Sequence, residues 1–227
     1  MAIAPARAVV LTCTPRIGEG SAAEGEDAPG FTLPSRGVLL LAILCLLIMV
    51  TEGAMADWSG LYLRQDLGSS VAVAALAYSF FTGGMTAGRV FGDAVNRRIG
   101  PVALLRWGAV LTALPLAAFL LIGSVPVALI GLFLVGVGVA NGVPLMFSAA
   151  GRLPDVAPGP AIGAVSSMGS LGFLAGPPLF GFLADAVSLP WALSLLVLGA
   201  VVVFALSRRA AGERVPAHAR REAVPAA

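Results

Sequence analysis

Two carboxylates and one amide stand inside stretches where apolar residues should hold the chain. Glu52 follows the unbroken apolar run Leu39–Val50, and Asp57 comes five residues later. Asn141 lies in Gly136-Val137-Gly138-Val139-Ala140-Asn141-Gly142-Val143-Pro144, a helix-like stretch loosened by glycine and proline. A charge well inside a membrane span costs about 2.5–3.5 kcal/mol on insertion scales, so such residues mark a functional position by default. Glu52 could take up and release a proton or face a polar solute. It could equally line a wet vestibule beside Gly53. Asn141 could line a cavity, where a broken helix exposes backbone groups to water or solute, or bond one helix to another. Glu52 and Asp57 are turned about 140° apart around a helix and cannot act as a catalytic carboxylate pair. Asp57 is expected to pair with Arg64, seven residues on.

A third group is the segment Arg89-Val90-Phe91-Gly92-Asp93-Ala94-Val95-Asn96-Arg97-Arg98-Ile99-Gly100. Small residues (Gly84, Ala87, Gly88, Gly92) lead a helix to an acidic residue and a doubly basic turn, and Pro101 opens the next helix. Asp93 can pair with Arg97 or Arg98, or accept from a helix N-terminus. Such contacts can hold two helix bundles in one state and release them in another. They are also what an ordinary basic loop after a glycine-packed helix would carry.

The elements that position these residues follow from composition. The chain has 227 residues, 58% hydrophobic and 11% charged, with a mean hydropathy of +0.94. Soluble domains are about 25% charged, and no surface this poor in charge keeps a chain of this size in water. Apolar runs of about 20 residues match the hydrocarbon thickness of a bilayer. Six spans are expected, from Val38 to Trp58, Val71–Gly92, Val102–Ile122, Val127–Ala150, Ala161–Ala184 and Trp191–Leu206. Residues 1–36 read as a flexible tail, 37–207 as the bundle and 208–227 as an arginine-rich tail. All 14 basic residues are arginine, and 13 of them flank one side of the spans. The positive-inside rule therefore places both termini in the cytoplasm. An even number of spans requires the same.

Other chemistries find little support. Cys13 lies in a polar tail and Cys45 in an apolar run, so neither a disulfide nor a metal site is expected. No cofactor site and no nucleic-acid patch is expected either. A serine intramembrane protease needs histidine in the membrane, and the single histidine, His218, is in the tail. An aspartyl type needs Gly-x-Gly-Asp, and the residues before Asp93 read Val-Phe-Gly. The chain is not expected to be an enzyme. Pro177-Pro178 and Pro115 should bend their helices. Aligning Asp93 with Asp185 also aligns Gly84 with Gly176, a pattern expected of two inverted three-helix repeats.

The Arg89–Gly100 segment resembles the loop motif that recurs between the second and third, and the eighth and ninth, helices of the major facilitator superfamily. The Gly92–Asp93 pair and the Arg97–Arg98 pair match. Arg89 stands where the first glycine belongs, with Gly88 before it, and Asn96 replaces another glycine. Glu52-Gly53-Ala54-Met55-Ala56-Asp57-Trp58-Ser59 resembles the seventh helix of a bacterial, fucose-permease-like branch. Gly172-Phe173-Leu174-Ala175-Gly176-Pro177-Pro178 resembles its eleventh. The resemblance covers the C-terminal six of twelve helices. It implies an all-α integral membrane protein, half of a major-facilitator-type bundle with a 3+3 inverted repeat, in a bacterial inner membrane. It further implies alternating-access transport of a small solute, coupled to protons through Glu52, with Glu52, Asp57 and Asn141 lining the path. Gly88, Arg89, Gly92, Asp93, Arg97 and Arg98 would form the switch loop. One half cannot enclose a cavity between two halves, so a partner half or a homodimer is implied. The alternative is a split or truncated half acting as a membrane partner or an inactive remnant.

Overall fold

The structure, a computed structural model, describes residues 35–154 and 156–212. Of the tail expected over 1–36, residues 1–34, with Cys13, lie outside the described residues, as does most of the tail after 208, with His218; Arg36 already belongs to the first helix. Seven helices follow in order: α1 (Arg36–Gln65), α2 (Val71–Ile99), α3 (Pro101–Ile122), α4 (Val125–Val139), α5 (Gly142–Ala150), α6 (Pro158–Ala186) and α7 (Leu189–Gly212). Taken as one element, α4 and α5 form the fourth of six spans long and apolar enough to cross a membrane.

Local chemistry sets the ends. The hydroxyls of Ser35 and Ser70 accept from the N–H groups of Val38 and Val73 at the starts of α1 and α2. Proline opens α3 and α6, where its missing N–H costs nothing. Between α2 and α3 a single residue turns the chain, Gly100 with φ 81° and ψ 164°, a conformation open essentially to glycine alone. Both α1 and α2 run seven residues past their expected ends. Helical hydrogen bonds persist after the apolar side chains stop, so hydropathy underestimates length. The expected loop residues Asp93, Asn96, Arg97 and Arg98 are accordingly the last helical turns of α2.

The fourth span breaks at Ala140–Asn141. Pro144 has no N–H for the carbonyl of Ala140, so the helical ladder fails there. The chain restarts when the Leu145 N–H reaches the Asn141 carbonyl at 3.1 Å.

Packing runs across the sequence. The most extensive interfaces are α1 on α6, α2 on α4, and α3 on both α4 and α7. The first helix of each three-helix repeat thus meets the second helix of the other, as an inverted 3+3 repeat requires. The aligned glycines play equivalent parts. Gly84 of α2 lies against the carbonyl of Phe133 in α4, and Gly176 of α6 against that of Val50 in α1. Small residues let backbones approach where burial alone gives no drive, because lipid is as apolar as leucine. The core between them is filled by Leu41, Leu44, Met55, Leu63, Phe81, Phe119, Leu132, Met146 and Phe180. Tyr62 is buried there too, its hydroxyl donating to the Phe119 carbonyl at 3.2 Å.

Candidate functional site

Glu52 sits about midway along α1, roughly 24 Å from the start of a helix some 45 Å long, and is half-buried. Because α1 is longer than its apolar run, the residue is nearer the middle than the sequence suggested. Its neighbour Gly53 is where α1 and α6 approach closely. A Cβ at Gly53 would stand 2.8 Å from the Phe173 carbonyl oxygen. That oxygen is the one Pro177 leaves without its helical donor, four residues on. The sequence showed the proline and the glycine but not that they meet. One turn further along α1, the indole N–H of Trp58 donates to the carbonyl of Pro177 at 3.2 Å.

Three elements converge beside Glu52. The side-chain amide of Asn141, at the break in span four, donates to the backbone carbonyl of Gly88 in α2 at 2.9 Å. Gly92, one turn on, packs directly against the same amide group. Of the two roles open to Asn141, the helix-to-helix bond is formed. Gly142 packs on Ile48, one turn from Glu52 on the same face of α1. Arg89 follows Gly88 in α2 and is exposed. The structure thus brings Gly88, Gly92 and Asn141 together, one turn of α1 from Glu52 through the Gly142–Ile48 contact. Asp57 is exposed and apart from them. Its expected partner Arg64 donates instead to the Ser69 carbonyl at 2.7 Å, closing the α1–α2 turn. Asp93, Arg97 and Arg98 are exposed on the last turns of α2 and form no ion pair among the described residues.

A feature missed in the sequence is a polar stripe along α2. Ser79, Thr82, Thr86, Arg89 and Asp93 recur at three- and four-residue intervals, so they share one face. All are exposed except the half-buried Thr82. The opposite face, with Ala77, Phe81, Gly84, Met85, Gly88 and Gly92, is buried. The Thr82 and Thr86 hydroxyls donate to the Tyr78 and Thr82 carbonyls at 2.8 and 2.9 Å, which satisfies their donors but leaves Arg89 and Asp93 open. The 3/4 spacing was legible, yet threonines and serines in a long apolar stretch read as filler until the buried face is known.

The stripe lies outside the six-helix core, so the core does not cover it. Arg89 lies roughly 27 Å into α2 and some 15 Å from its end. Facing acyl chains there would be costly. Among the described residues no cluster of histidine, cysteine or carboxylate could hold a metal ion. The polar side chains here are one carboxylate, one guanidinium and one amide, on Glu52, Arg89 and Asn141.

The sequence profile of the Major Facilitator Superfamily matches residues 32–226. The chain is 34% identical over 185 residues to an uncharacterized MFS-type transporter of Yersinia pestis, covering 82% of this chain and 48% of the relative. It is 38% identical over 188 residues to the membrane protein MosC of Rhizobium meliloti, covering 83% and 45%. A third relative, an uncharacterized transporter of Sinorhizobium fredii, is 30% identical over 182 residues, covering 80% and 48%. The chain spans about half the length of the curated relatives it matches. Six apolar spans, an inverted repeat packed through glycines and a match over most of the sequence converge: this multi-pass membrane protein, no enzyme, belongs to the major facilitator superfamily of transporters.

Proposed function

We propose that the chain is a six-helix half of a small-solute transporter working by alternating access, with proton coupling through Glu52. The polar stripe of α2 carries this reading. Its arginine and aspartate lie on a face the six helices leave uncovered. In a membrane such a face borders a water-filled path or a second protein body rather than lipid. A second six-helix body, from another segment of a longer protein or from a second copy, would complete the cavity. Asn141 would hold α2 on α4 beside the path. Asp57 would stand nearer its far mouth. Gly88, Arg89, Gly92, Asp93, Arg97 and Arg98 would form the moving contact, with Asp93, Arg97 and Arg98 meeting the second body in one state and parting in the other.

Arginine asymmetry supports cytoplasmic termini in a bacterial inner membrane. It is also in keeping with a linker over 1–36 and a basic tail from 208. The Glu52–Ser59 and Gly172–Pro178 segments favour the fucose-permease-like branch. The half-length match to the relatives favours a second reading, a non-autonomous half that acts only as a membrane partner or is inert.

The experiment is thiol labelling of the full chain in membranes, with Cys13 changed to Ser so that only buried Cys45 remains. Thr86→Cys should react with a membrane-impermeant maleimide, and Leu114→Cys, exposed on α3, should not. Equal protection of both positions would place the stripe against lipid or a dry interface and end the proposal.

A further inference from the structure

The outer side of the bundle carries a second built feature, away from the polar stripe. Where α3 begins and α7 ends, a groove of about 560 Å³ runs between the two helices. Its walls are apolar, formed by Val102, Ala103, Val110 and Phe204, and its rim holds Arg106, Arg208 and Trp107. The Arg106 guanidinium lies over the Phe204 ring, 4.2 Å from its centroid. Stacking fixes the plane of the guanidinium and leaves its edge donors free for an anion. Arg208 stands one helical turn beyond Phe204, so the two cations approach the groove from two helices. No described carboxylate lines it. Trp107 is 61% exposed, an amphipathic ring of the kind enriched at membrane–water interfaces.

We propose that this groove is a binding site for an anionic phospholipid, its phosphate held by Arg106 and Arg208 and one acyl chain lying along Val102, Ala103, Val110 and Phe204. Charge selects the occupant. Two arginines without a carboxylate attract phosphate oxygens, which accept two parallel N–H bonds from a guanidinium. Basic pockets between spanning helices are sites where anionic headgroups bind. The apolar walls add what a free phosphate cannot use, about 0.8 kcal/mol per methylene removed from water. In a bilayer, where the chain is already in an apolar medium, this gain shrinks, and selectivity rests on the two arginines. The site is independent of the transport reading, since α3 and α7 carry none of the stripe.

Native mass spectrometry of the full chain in detergent tests this, with phosphatidylglycerol and phosphatidylcholine titrated in competition. The intact protein should retain phosphatidylglycerol at least about tenfold more strongly, the step that about 1.4 kcal/mol represents. Arg106→Gln with Arg208→Gln should abolish the preference. Arg152→Gln, which removes one charge from an exposed loop arginine, should leave it intact. Ala103→Trp keeps both arginines but fills the groove, and should weaken both lipids alike. Millimolar glycerol phosphate should not displace bound phosphatidylglycerol. Thermal unfolding of each variant confirms that it remains folded, and if the double variant does not, Ala103→Trp and the single Arg208→Gln variant decide. Preference that survives the loss of both arginines, or displacement by glycerol phosphate, would overturn the proposal.

Discussion

Gly53→Ala is a small change with a large expected effect, because the added methyl meets backbone rather than a yielding side chain. The new Cβ would lie 2.8 Å from the Phe173 carbonyl oxygen, against about 3.4 Å for an ordinary contact. Relieving that shortfall moves α1 from α6 by roughly 0.6 Å along the line of contact, at the most extensive interface of the bundle. Overpacking of this kind costs about 1–3 kcal/mol. Alanine returns up to about 1 kcal/mol in helix propensity. The net expectation is a destabilisation of about 1–2 kcal/mol.

Gly83→Ala is the control, since nothing lies within 4 Å of a Cβ there, and it should be neutral or slightly stabilising. Pro177→Ala restores an N–H for the Phe173 carbonyl and should draw that oxygen back toward its own helix. In the double variant part of the Gly53→Ala cost should vanish, as a coupling of about 0.5–3 kcal/mol between contacting positions. Reversible unfolding of the purified chain in mixed micelles, followed by helical circular dichroism, measures all four corners of the cycle. If Gly53→Ala proves as stable as Gly83→Ala, the close approach of α1 to the proline-freed carbonyl is not what holds these helices together.

Two further outcomes follow from the site. Asn141→Ala removes the bond to the Gly88 carbonyl and should cost about 0.6 kcal/mol, with about 1.7 kcal/mol as the ceiling for hydrogen bonds inside a membrane; the same micelle unfolding reads it, and a loss above 3 kcal/mol would mean that the residue does more than join α2 to α4. Glu52→Gln should abolish proton-coupled uptake in cells tested over a panel of sugars and drugs, while leaving the amount of protein in the membrane unchanged; uptake persisting with the same pH dependence would remove Glu52 from the coupling step.

Much of the architecture was readable because the bilayer imposes a length. Stretches such as Val38 to Trp58 and Val102–Ile122 match that length, and arginine placement ordered them. What hydropathy could not register was helix that continues in polar sequence, and so Arg97 and Arg98 were read as loop. The break at Asn141 had a visible cause in Pro144, yet whether a proline bends or divides a helix depends on what packs around it. The site was half legible. Glu52 and Asn141 stood out as polar residues in apolar runs. That Asn141 bonds the Gly88 carbonyl depends on how α2 crosses span four, and 53 positions of sequence hold no trace of that angle. Asp57 and Arg64 show the converse, since favourable spacing along one helix did not make them a pair, and Arg64 donates to the Ser69 carbonyl.

The pairing of α1 with α6 also bears on how the protein is made. Their middles are separated by roughly 120 residues of chain, so at synthesis rates of about 5–20 residues per second the partner of α1 follows it by some 6–24 seconds. Throughout that interval the notch at Gly53, which Phe173 of α6 comes to fill, stays open even after α2 and span four have arrived. The helix carrying the intramembrane acid is thus the one that waits longest for its main partner. Assembly errors should concentrate there, and a membrane quality-control protease would find its clearest mark of an unfinished molecule in that first helix.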